Sequence, residues 1–456
     1  MSETISLTMD ASVSQDDLVH AQSPEQGGKW GFLFLWLFTV AVYARPEDIL
    51  PLLGQMHLTF IFGCCAGAAY AGALVSRRVR LHWPQELKIT LLLTAWYIVG
   101  IPYAFWRSGS LDVLTHVWLK TLFIFFLLTQ TLLTLKRIHA LLWAIILSEL
   151  AVTSFSIVQS SKVTWVGERM LGFNQGILGW NFLGIAVAIT LPYIAAIFVL
   201  RRSAPKSALL VTASLSMMWM LMLTASRGGV LNVVLSAVLT WFFVLRGSAR
   251  GRVIGTGIML ALVLAICLAP KVLWQRLETI WDDPDIYAGQ VAASAEESKE
   301  DHLSVLVRSI QYTIEHPVFG LGLGNFQVAS GTDLNQPSAW MGTHNTFTEI
   351  SSEAGIPALL LFVGLLVAAM RNVGKVNILP VRGAEGMELQ LLARATTASL
   401  LSFAFGAFFA HLAYEYYCFY PLAVAVGVQQ VAARYAPLAV PRPAIQLSDS
   451  RLWRAW

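Results

Sequence analysis

The sequence predicts an all-α polytopic membrane protein with about twelve transmembrane helices and one large extramembrane loop. Two observations support this fold class. The chain of 456 residues is 56% hydrophobic and only 13% charged, whereas a soluble domain is about 25% charged. Its apolar runs are also continuous over about 20 residues rather than alternating, which favours membrane helices over the strands of a closed barrel.

The elements follow in order along the chain. Residues 1–28 are polar, with no basic start or cleavage site, and are predicted to be a disordered cytoplasmic tail. Nine spans occupy 29–270, a polar loop with short helices occupies 271–345, three spans occupy 346–436, and a second cytoplasmic tail occupies 437–456. The predicted spans are 30–44, 57–76, 87–106, 114–135, 138–158, 174–200, 206–223, 228–245, 253–270, 346–370, 391–411 and 417–435.

The basic residues between the spans alternate in number from one loop to the next. One set of loops holds fourteen, and the alternate set holds only Arg45, Arg107, Lys162, Arg169 and Arg227. Because cytoplasmic loops carry the excess of Lys and Arg, this asymmetry predicts that both termini lie in the cytoplasm, and in a Gram-negative host the membrane would be the bacterial inner membrane. It also predicts that the loop 271–345 lies in the periplasm.

The long loop is acidic, with ten acidic residues against four basic ones. An anion site within it must therefore be focused on one or two residues. Ser298 and Asp301 predict a helix start, and Pro317 predicts its end after His316. We expect an apolar stripe at helical spacing to pack on the protein, with Arg308 off the stripe and facing water or a ligand. The stripe comprises Leu303, Leu306, Val307, Ile310 and Ile314.

Arg227 is the first candidate for a functional residue on the outer face. It lies in Ser226-Arg227-Gly228-Gly229, where a very short turn joins two apolar runs and holds it at the mouth of the bundle. An arginine that only anchors a helix end is an equally good interpretation. Arg169, ahead of another span, is a weaker candidate, and Arg45 has Glu47 or Asp48 beside it as a simple partner.

His344-Asn345 opens the span that follows the loop. A helix start favours the neutral imidazole, and a neutral imidazole can act as a general base. The alternative is a histidine that is only hydrogen bonded at the interface. Glu349 and Glu353 fall inside the same span, and carboxylates there require a polar cavity or a partner.

Several of these motifs together resemble the O-antigen ligase and polymerase family, over about residues 165–430. They are Ser226-Arg227-Gly228-Gly229, the stretch from Arg308 through His316-Pro-Val-Phe-Gly-Leu-Gly-Leu-Gly-Asn-Phe326, His344-Asn345-Thr346 and Glu353-Ala-Gly355, with Arg169 to Asn181 as a further similar segment. The resemblance implies a GT-C-like membrane glycosyltransferase. It also implies transfer of a glycan from undecaprenyl diphosphate to an acceptor, without a nucleotide sugar, metal or other cofactor.

The resemblance suggests a role for each candidate. Arg227 and Arg308, with Arg169 as a weaker third, are expected to hold the diphosphate, because arginines bind phosphate oxygens in bidentate fashion. His344 is expected to deprotonate the acceptor hydroxyl, which attacks the anomeric carbon with inversion. Asn345 and Glu349 are expected to line the cavity. The roles of Glu353, Arg45, His302 and His316 stay open.

The acceptor expected for a ligase is the lipid A-core oligosaccharide, with membrane lipids as the surroundings and no nucleic acid as partner. Two alternatives share the donor chemistry: a polymerase that uses a second lipid-linked glycan, and a protein O-oligosaccharyltransferase. A transporter is an alternative of another class. It predicts inverted repeats with broken helices at mid-membrane, and the sequence has no repeat between its halves.

Overall fold

The structure is a computed structural model that describes residues 28–435, apart from 50, 162–163, 167–168, 173–179, 201–202, 279–289, 336–340 and 380–382. Apart from Gly28, the two expected tails therefore lie outside the described residues. The described chain is helical except for one short antiparallel hairpin, which the sequence did not predict. Its strands are β1 (Thr164–Val166) and β2 (Arg169–Gly172).

The longer helices are named in chain order. Before the hairpin lie α1 (Lys29–Ala44), α2 (Leu58–Val75), α3 (Gln85–Gly100), α4 (Arg107–Thr131) and α5 (Leu135–Val158). After it lie α6 (Trp180–Leu200), α7 (Ala204–Thr224), α8 (Arg227–Leu245), α9 (Ala249–Cys267), α10 (Lys271–Glu278), α11 (Gln290–Glu315), α12 (Phe326–Leu334), α13 (Thr346–Asn377), α14 (Gly383–Gly406) and α15 (Phe419–Tyr435).

The chain is a multi-pass membrane protein by the length and hydropathy of its helices. Among the described residues, eight helices are long and apolar enough to cross a membrane: α2, α4 to α9, and α13. The helix α1 is apolar but shorter. Each of the twelve predicted spans overlaps a helix, whereas twelve crossings and a GT-C-like topology stay predictions.

Several predicted boundaries are wrong. The helix in the loop begins at Gln290, so Ser298 lies inside it and does not cap it, although it ends before Pro317 as predicted. The helix α14 ends at Gly406, which leaves His411 outside it. Arg169 lies on β2 because the hairpin precedes α6. A strand of three or four residues shows too little periodicity to be recognised in the sequence.

The helix α6 packs tightly against α8 and α14. A Cβ on Gly184 would lie 2.2 Å from Cα of Gly229, so only glycine permits this approach of the two backbones. Ser236 Oγ of α8 donates to the Ala188 carbonyl at 2.6 Å, and Ser399 Oγ of α14 donates to the Ile189 carbonyl at 2.7 Å. Close backbones and hydroxyl bonds hold membrane helices together where the hydrophobic effect cannot.

The helix α13 is broken at Gly355. This residue has φ 80° and ψ 173°, a conformation that is essentially restricted to glycine, and Pro357 follows it. The break admits the chain that leaves α11, because Ile356 N donates to the Pro317 carbonyl at 2.8 Å. A buried first half, 346–354, is thereby separated from a longer second half, 356–377.

The described part of the loop has a small core of its own. Val305 and Tyr312 of α11 pack with Leu321, Phe326 and Ala329. Of the five residues in the predicted apolar stripe of α11, only Leu306 is half-buried, so the prediction that the stripe packs on the protein is wrong for the other four. Its members at positions 303, 307, 310 and 314 are 61%, 58%, 46% and 73% exposed.

Candidate active site

Arg227 is the first residue of α8 and is held by the turn that precedes it. Ala225 adopts a left-handed conformation with φ 50°, which reverses the chain after α7. Ser226 then caps α8, because its side chain accepts a hydrogen bond from Gly229 N at 3.1 Å. Arg227 is thus carried by a fixed helix end and is half-buried, and its position at the mouth of the bundle stays a prediction.

Arg276 lies beside Arg227 and was not selected from the sequence. It is 4% exposed, on the helix α10, which contacts both α8 and α11. Burial and the neighbouring Arg227 lower the pKa of Arg276 to about 10, so it stays protonated at neutral pH. Two cationic groups therefore lie close together, and their combined positive charge attracts anionic groups.

A signal for Arg276 was present in the sequence. It follows Val272 by four residues and Leu273 by three, and both of these are buried. An arginine on the apolar face of a short amphipathic helix is an exception to the usual pattern. Composition alone counts Arg276 only as one of the four basic residues of the acidic loop, whereas its position on the helix face distinguishes it.

Arg308 lies on α11 and contacts α12. Its Nη1 donates to Ser330 Oγ at 3.0 Å, and the side chain is half-buried. One turn further along, the Tyr312 hydroxyl donates to Asp333. Burial and Asp333 raise the pKa of Tyr312, and the positive charge of Arg308 opposes that rise. Arg308 therefore has a defined position and is not an unconstrained solvated arginine.

His344 lies in a cluster of three imidazoles. Its ring stacks on that of His302 with centroids 4.4 Å apart and an angle of 5° between the planes. The ring of His411 meets it edge-on at 5.4 Å and 69°. His302 and Arg308 both lie on α11. The stack of His302 on His344 therefore joins this helix to the start of α13. A proton on one ring disfavours a proton on the next, which favours a neutral base among them.

His411 was also missed in the sequence, where it appears at the end of a predicted span. Burial and the nearby His344 lower the pKa of His411 to about 4. It is therefore neutral at physiological pH. Its other contacts are an edge-on ring contact with Phe182 of α6 and a close approach to Gly342.

Asn345 and Glu349, both predicted to line a substrate cavity, make contacts within the protein. The Asn345 side-chain oxygen caps α13 by accepting from Phe347 N at 2.9 Å and Thr348 N at 3.2 Å. Glu349 accepts from Ala413 N at 3.0 Å. These contacts position the backbone on both sides of His344 and His411.

Glu353 holds three segments together below this cluster. Its carboxylate accepts from Gly324 N at 2.7 Å, from Phe326 N at 3.0 Å and from the Tyr414 hydroxyl at 2.6 Å. The glycine-rich turn after α11 is thereby fixed to α13 and to the chain before α15. These three hydrogen bonds explain why a carboxylate is present within a span, and Glu353 needs no contact with a substrate to account for it.

The structure does not bring every predicted residue into the site. It describes only the backbone of Arg169, on β2, which contacts α5 and α7. Next to Arg227, Gly228 abuts Phe409, which precedes His411 by two residues. Among the described residues, no group of three or more His, Cys, Asp or Glu side chains could hold a metal ion.

The three arginines lie on α8, α10 and α11, and His344 lies just before α13, whereas His411 follows α14. The segment from α8 to the first half of α13 has a counterpart in a known family. Residues 208–363 match the family model of O-antigen ligase. The match includes Arg227, Arg276, Arg308 and His344 and confirms the resemblance that the motifs indicated. The matched segment is therefore similar to the ligase or polymerase enzymes of that family. No curated protein matches the chain.

Proposed function

We propose that this protein is an O-antigen ligase that transfers a glycan from undecaprenyl diphosphate to the lipid A-core oligosaccharide at the periplasmic face, with inversion and without a metal. The observation that carries the proposal is the pair formed by Arg227 and the buried Arg276. Two neighbouring guanidinium groups at a membrane surface match a ligand with two adjacent phosphates.

The leaving group explains the need for these cations. The bond between the anomeric carbon and the phosphate oxygen breaks, and negative charge develops on the lipid diphosphate. Arg227, Arg276 and Arg308 stabilise that charge where it forms. A preorganised donor of this kind contributes about 3–4 kcal/mol to the transition state. Arg169 remains a weaker candidate for the same role.

His344 is the proposed base. It takes the proton of the acceptor hydroxyl as that oxygen forms its bond to the anomeric carbon on the opposite face from the diphosphate. The proton then passes to solvent or to the departing phosphate. The stack on His302 and the edge contact with His411 orient the imidazole, and the contacts of Asn345 and Glu349 fix the adjoining backbone.

The proposal is tested by reconstitution in nanodiscs with a glycan on undecaprenyl diphosphate and three acceptors, supplied separately. Lipid A-core oligosaccharide should be glycosylated. A lipid-linked glycan and a Ser/Thr peptide test the polymerase and the protein transferase. Glycosylation of the lipid-linked glycan or of the peptide, without glycosylation of lipid A-core oligosaccharide, would overturn the lipid A-core assignment. Nanodiscs enclose no compartment, so product formation also excludes a transporter as the sole activity.

Variants test the residues in the same assay. Arg227→Ala, Arg308→Ala and His344→Ala should each lower kcat/KM at least about 100-fold, as expected for loss of one transition-state donor or base. Arg276→Gln should have a comparable effect, and Arg276→Lys should retain part of the activity because it keeps the charge. Arg107→Ala, at an exposed arginine, is the matched control. Full activity of Arg308→Ala or His344→Ala would contradict the mechanism.

A further inference from the structure

The helix α11 has an exposed apolar face for which the function proposed above gives no reason. Leu303, Val307, Ile310 and Ile314 follow one another at intervals of four, three and four residues. At 100° per residue they lie within about 60° of arc. All four are between 46% and 73% exposed, while Val305 and Tyr312 on the opposite face are 5% exposed. The helix is thus packed on its other side.

This face continues onto the exposed side of a membrane-spanning helix. The end of α11 meets α13 at its break, where Ile356 N bonds to the Pro317 carbonyl. From that point the second half of α13 exposes Ile356 at 42% and Leu360 at 66%, and Val318 between the two helices is 48% exposed. The exposed apolar residues of α11 and those of the second half of α13 therefore approach each other at this junction.

Aromatic side chains lie beside the junction of α11 and α13. Phe105 N donates to the Leu321 carbonyl at 2.8 Å, and the Tyr103 ring stacks on Phe319 at 4.5 Å. Tyr103, Phe105 and Trp106, which follow the end of α3, are 50% to 66% exposed. Exposed aromatic residues where spans end are typical of the boundary between lipid and water.

We propose that α11 lies in the plane of the membrane, with the face formed by Leu303, Val307, Ile310 and Ile314 inserted among the lipids of the periplasmic leaflet. An amphipathic helix binds a bilayer in this way, with its apolar face at the boundary between headgroups and acyl chains. The polar edge stays in water, where Gln311 Nε2 bonds to Glu315 at 2.8 Å.

A bilayer fits this face better than a second protein does. The stripe is one side chain wide, and Gln311 and Glu315 at its edge are exposed and paired with each other. A stable protein interface buries about 800 Å² on each partner and requires a broader surface. Continuity with the outward side of α13 also places the stripe at the edge of the lipid phase.

Insertion of α11 would set the height of Arg308 at the membrane surface. Arg308 follows Val307 on α11, about 100° around the helix, and reaches Ser330 above the apolar stripe. Under the function proposed above, this is the level at which a lipid diphosphate presents its phosphates. This consequence depends on that function, whereas the insertion itself does not.

Spin labels test the insertion in the full-length protein in phospholipid nanodiscs. The four cysteines, all unbonded, are first replaced, and single cysteines are introduced as Ile310→Cys and Ile314→Cys. Gln311→Cys and Glu315→Cys are the matched controls on the exposed polar edge of the same helix. Collision with oxygen, which concentrates in lipid, is compared with collision with a water-soluble nickel chelate.

Labels at positions 310 and 314 should collide several-fold more with oxygen relative to nickel than labels at 311 and 315. Equal, water-like ratios at all four positions would overturn the proposal. Dipolar broadening at 314 that appears only when two copies share a nanodisc would also overturn it and would assign the stripe to a protein interface. The readout needs no glycan transfer, so it stands apart from failure of the proposed reaction.

Discussion

At the scale of single residues, the charge state of His411 couples folding to pH. Burial and His344 lower its pKa in the folded protein to about 4, against about 6.5 for an unfolded histidine. The unfolded chain therefore binds more protons between these values. Stability is complete above about pH 6.5 and falls as the pH approaches 4, by on the order of 2 kcal/mol.

Thermal unfolding of the nanodisc-embedded protein between pH 4 and 7 measures this loss. The variant His411→Gln should unfold with a weaker dependence on pH than the wild type, since the group that takes up the proton is gone. His316→Gln, at an exposed histidine outside the cluster, should leave the dependence unchanged. Identical slopes for His411→Gln and the wild type would contradict a buried neutral His411.

Sequence reasoning reached the site residues that carry a local motif and missed those that depend on packing. Arg227, Arg308 and His344 stand in recognisable short stretches. Arg276 and His411 have ordinary neighbours in the sequence, and their importance comes from residues far along the chain. Asn345 and Glu349 were expected to line a substrate cavity, and the hydrogen bonds that each accepts from the backbone could not be read from the sequence.

At the scale of single elements, the break in α13 depends on Gly355. A Cβ at this position would lie 2.0 Å from the Val318 carbonyl oxygen, and its backbone conformation is one that other residues avoid. We expect Gly355→Ala to lower the free energy of unfolding by at least about 2 kcal/mol. Thermal unfolding and the yield of monodisperse protein measure the change.

Gly364 is a matched control for Gly355 on the same helix. A Cβ there meets nothing within 4 Å, and the residue is in regular helix. Gly364→Ala should be neutral or stabilise the helix by up to about 1 kcal/mol, since alanine has the higher helix propensity. If the two substitutions had equal effects, the close contact between Gly355 and Val318 would not be what shapes α13.

In α11, the periodicity of apolar residues was sufficient to predict a helix but not to predict which side of that helix packs on the protein. The spacing of Leu303, Val307 and Ile310 predicted a helix, and a helix is present. The same spacing also predicts that this side of the helix packs on the protein. The packed side instead contains Val305, Ser309 and Tyr312, a mixed set that no hydrophobic pattern reveals. For a protein beside a bilayer, an apolar stripe has two possible partners, and the sequence does not distinguish them.

At the scale of the whole molecule, Glu353 couples the loop to the bundle. Its two carboxylate oxygens accept three hydrogen bonds, from the turn after α11 and from Tyr414 before α15. In Glu353→Gln only one side-chain oxygen remains, so at least one buried donor loses its acceptor, at a cost of about 1–3 kcal/mol. Because those donors belong to separate segments, the loss should loosen the turn as well as destabilise the fold.

Hydrogen exchange distinguishes such loosening from a uniform loss of stability. In Glu353→Gln, amides of residues 320–330 should exchange faster than in the wild type, while those of α6 should not change. Glu315→Gln, at the exposed end of α11, is the control and should leave both regions unchanged.

Tyr414→Phe removes one of the three donors together with its polar group. The free energy of unfolding that the double variant Glu353→Gln, Tyr414→Phe loses should therefore be smaller than the sum of the losses in the two single variants. Strict additivity would mean that Glu353 and Tyr414 act independently, and the coupling of loop and bundle would then have to lie elsewhere.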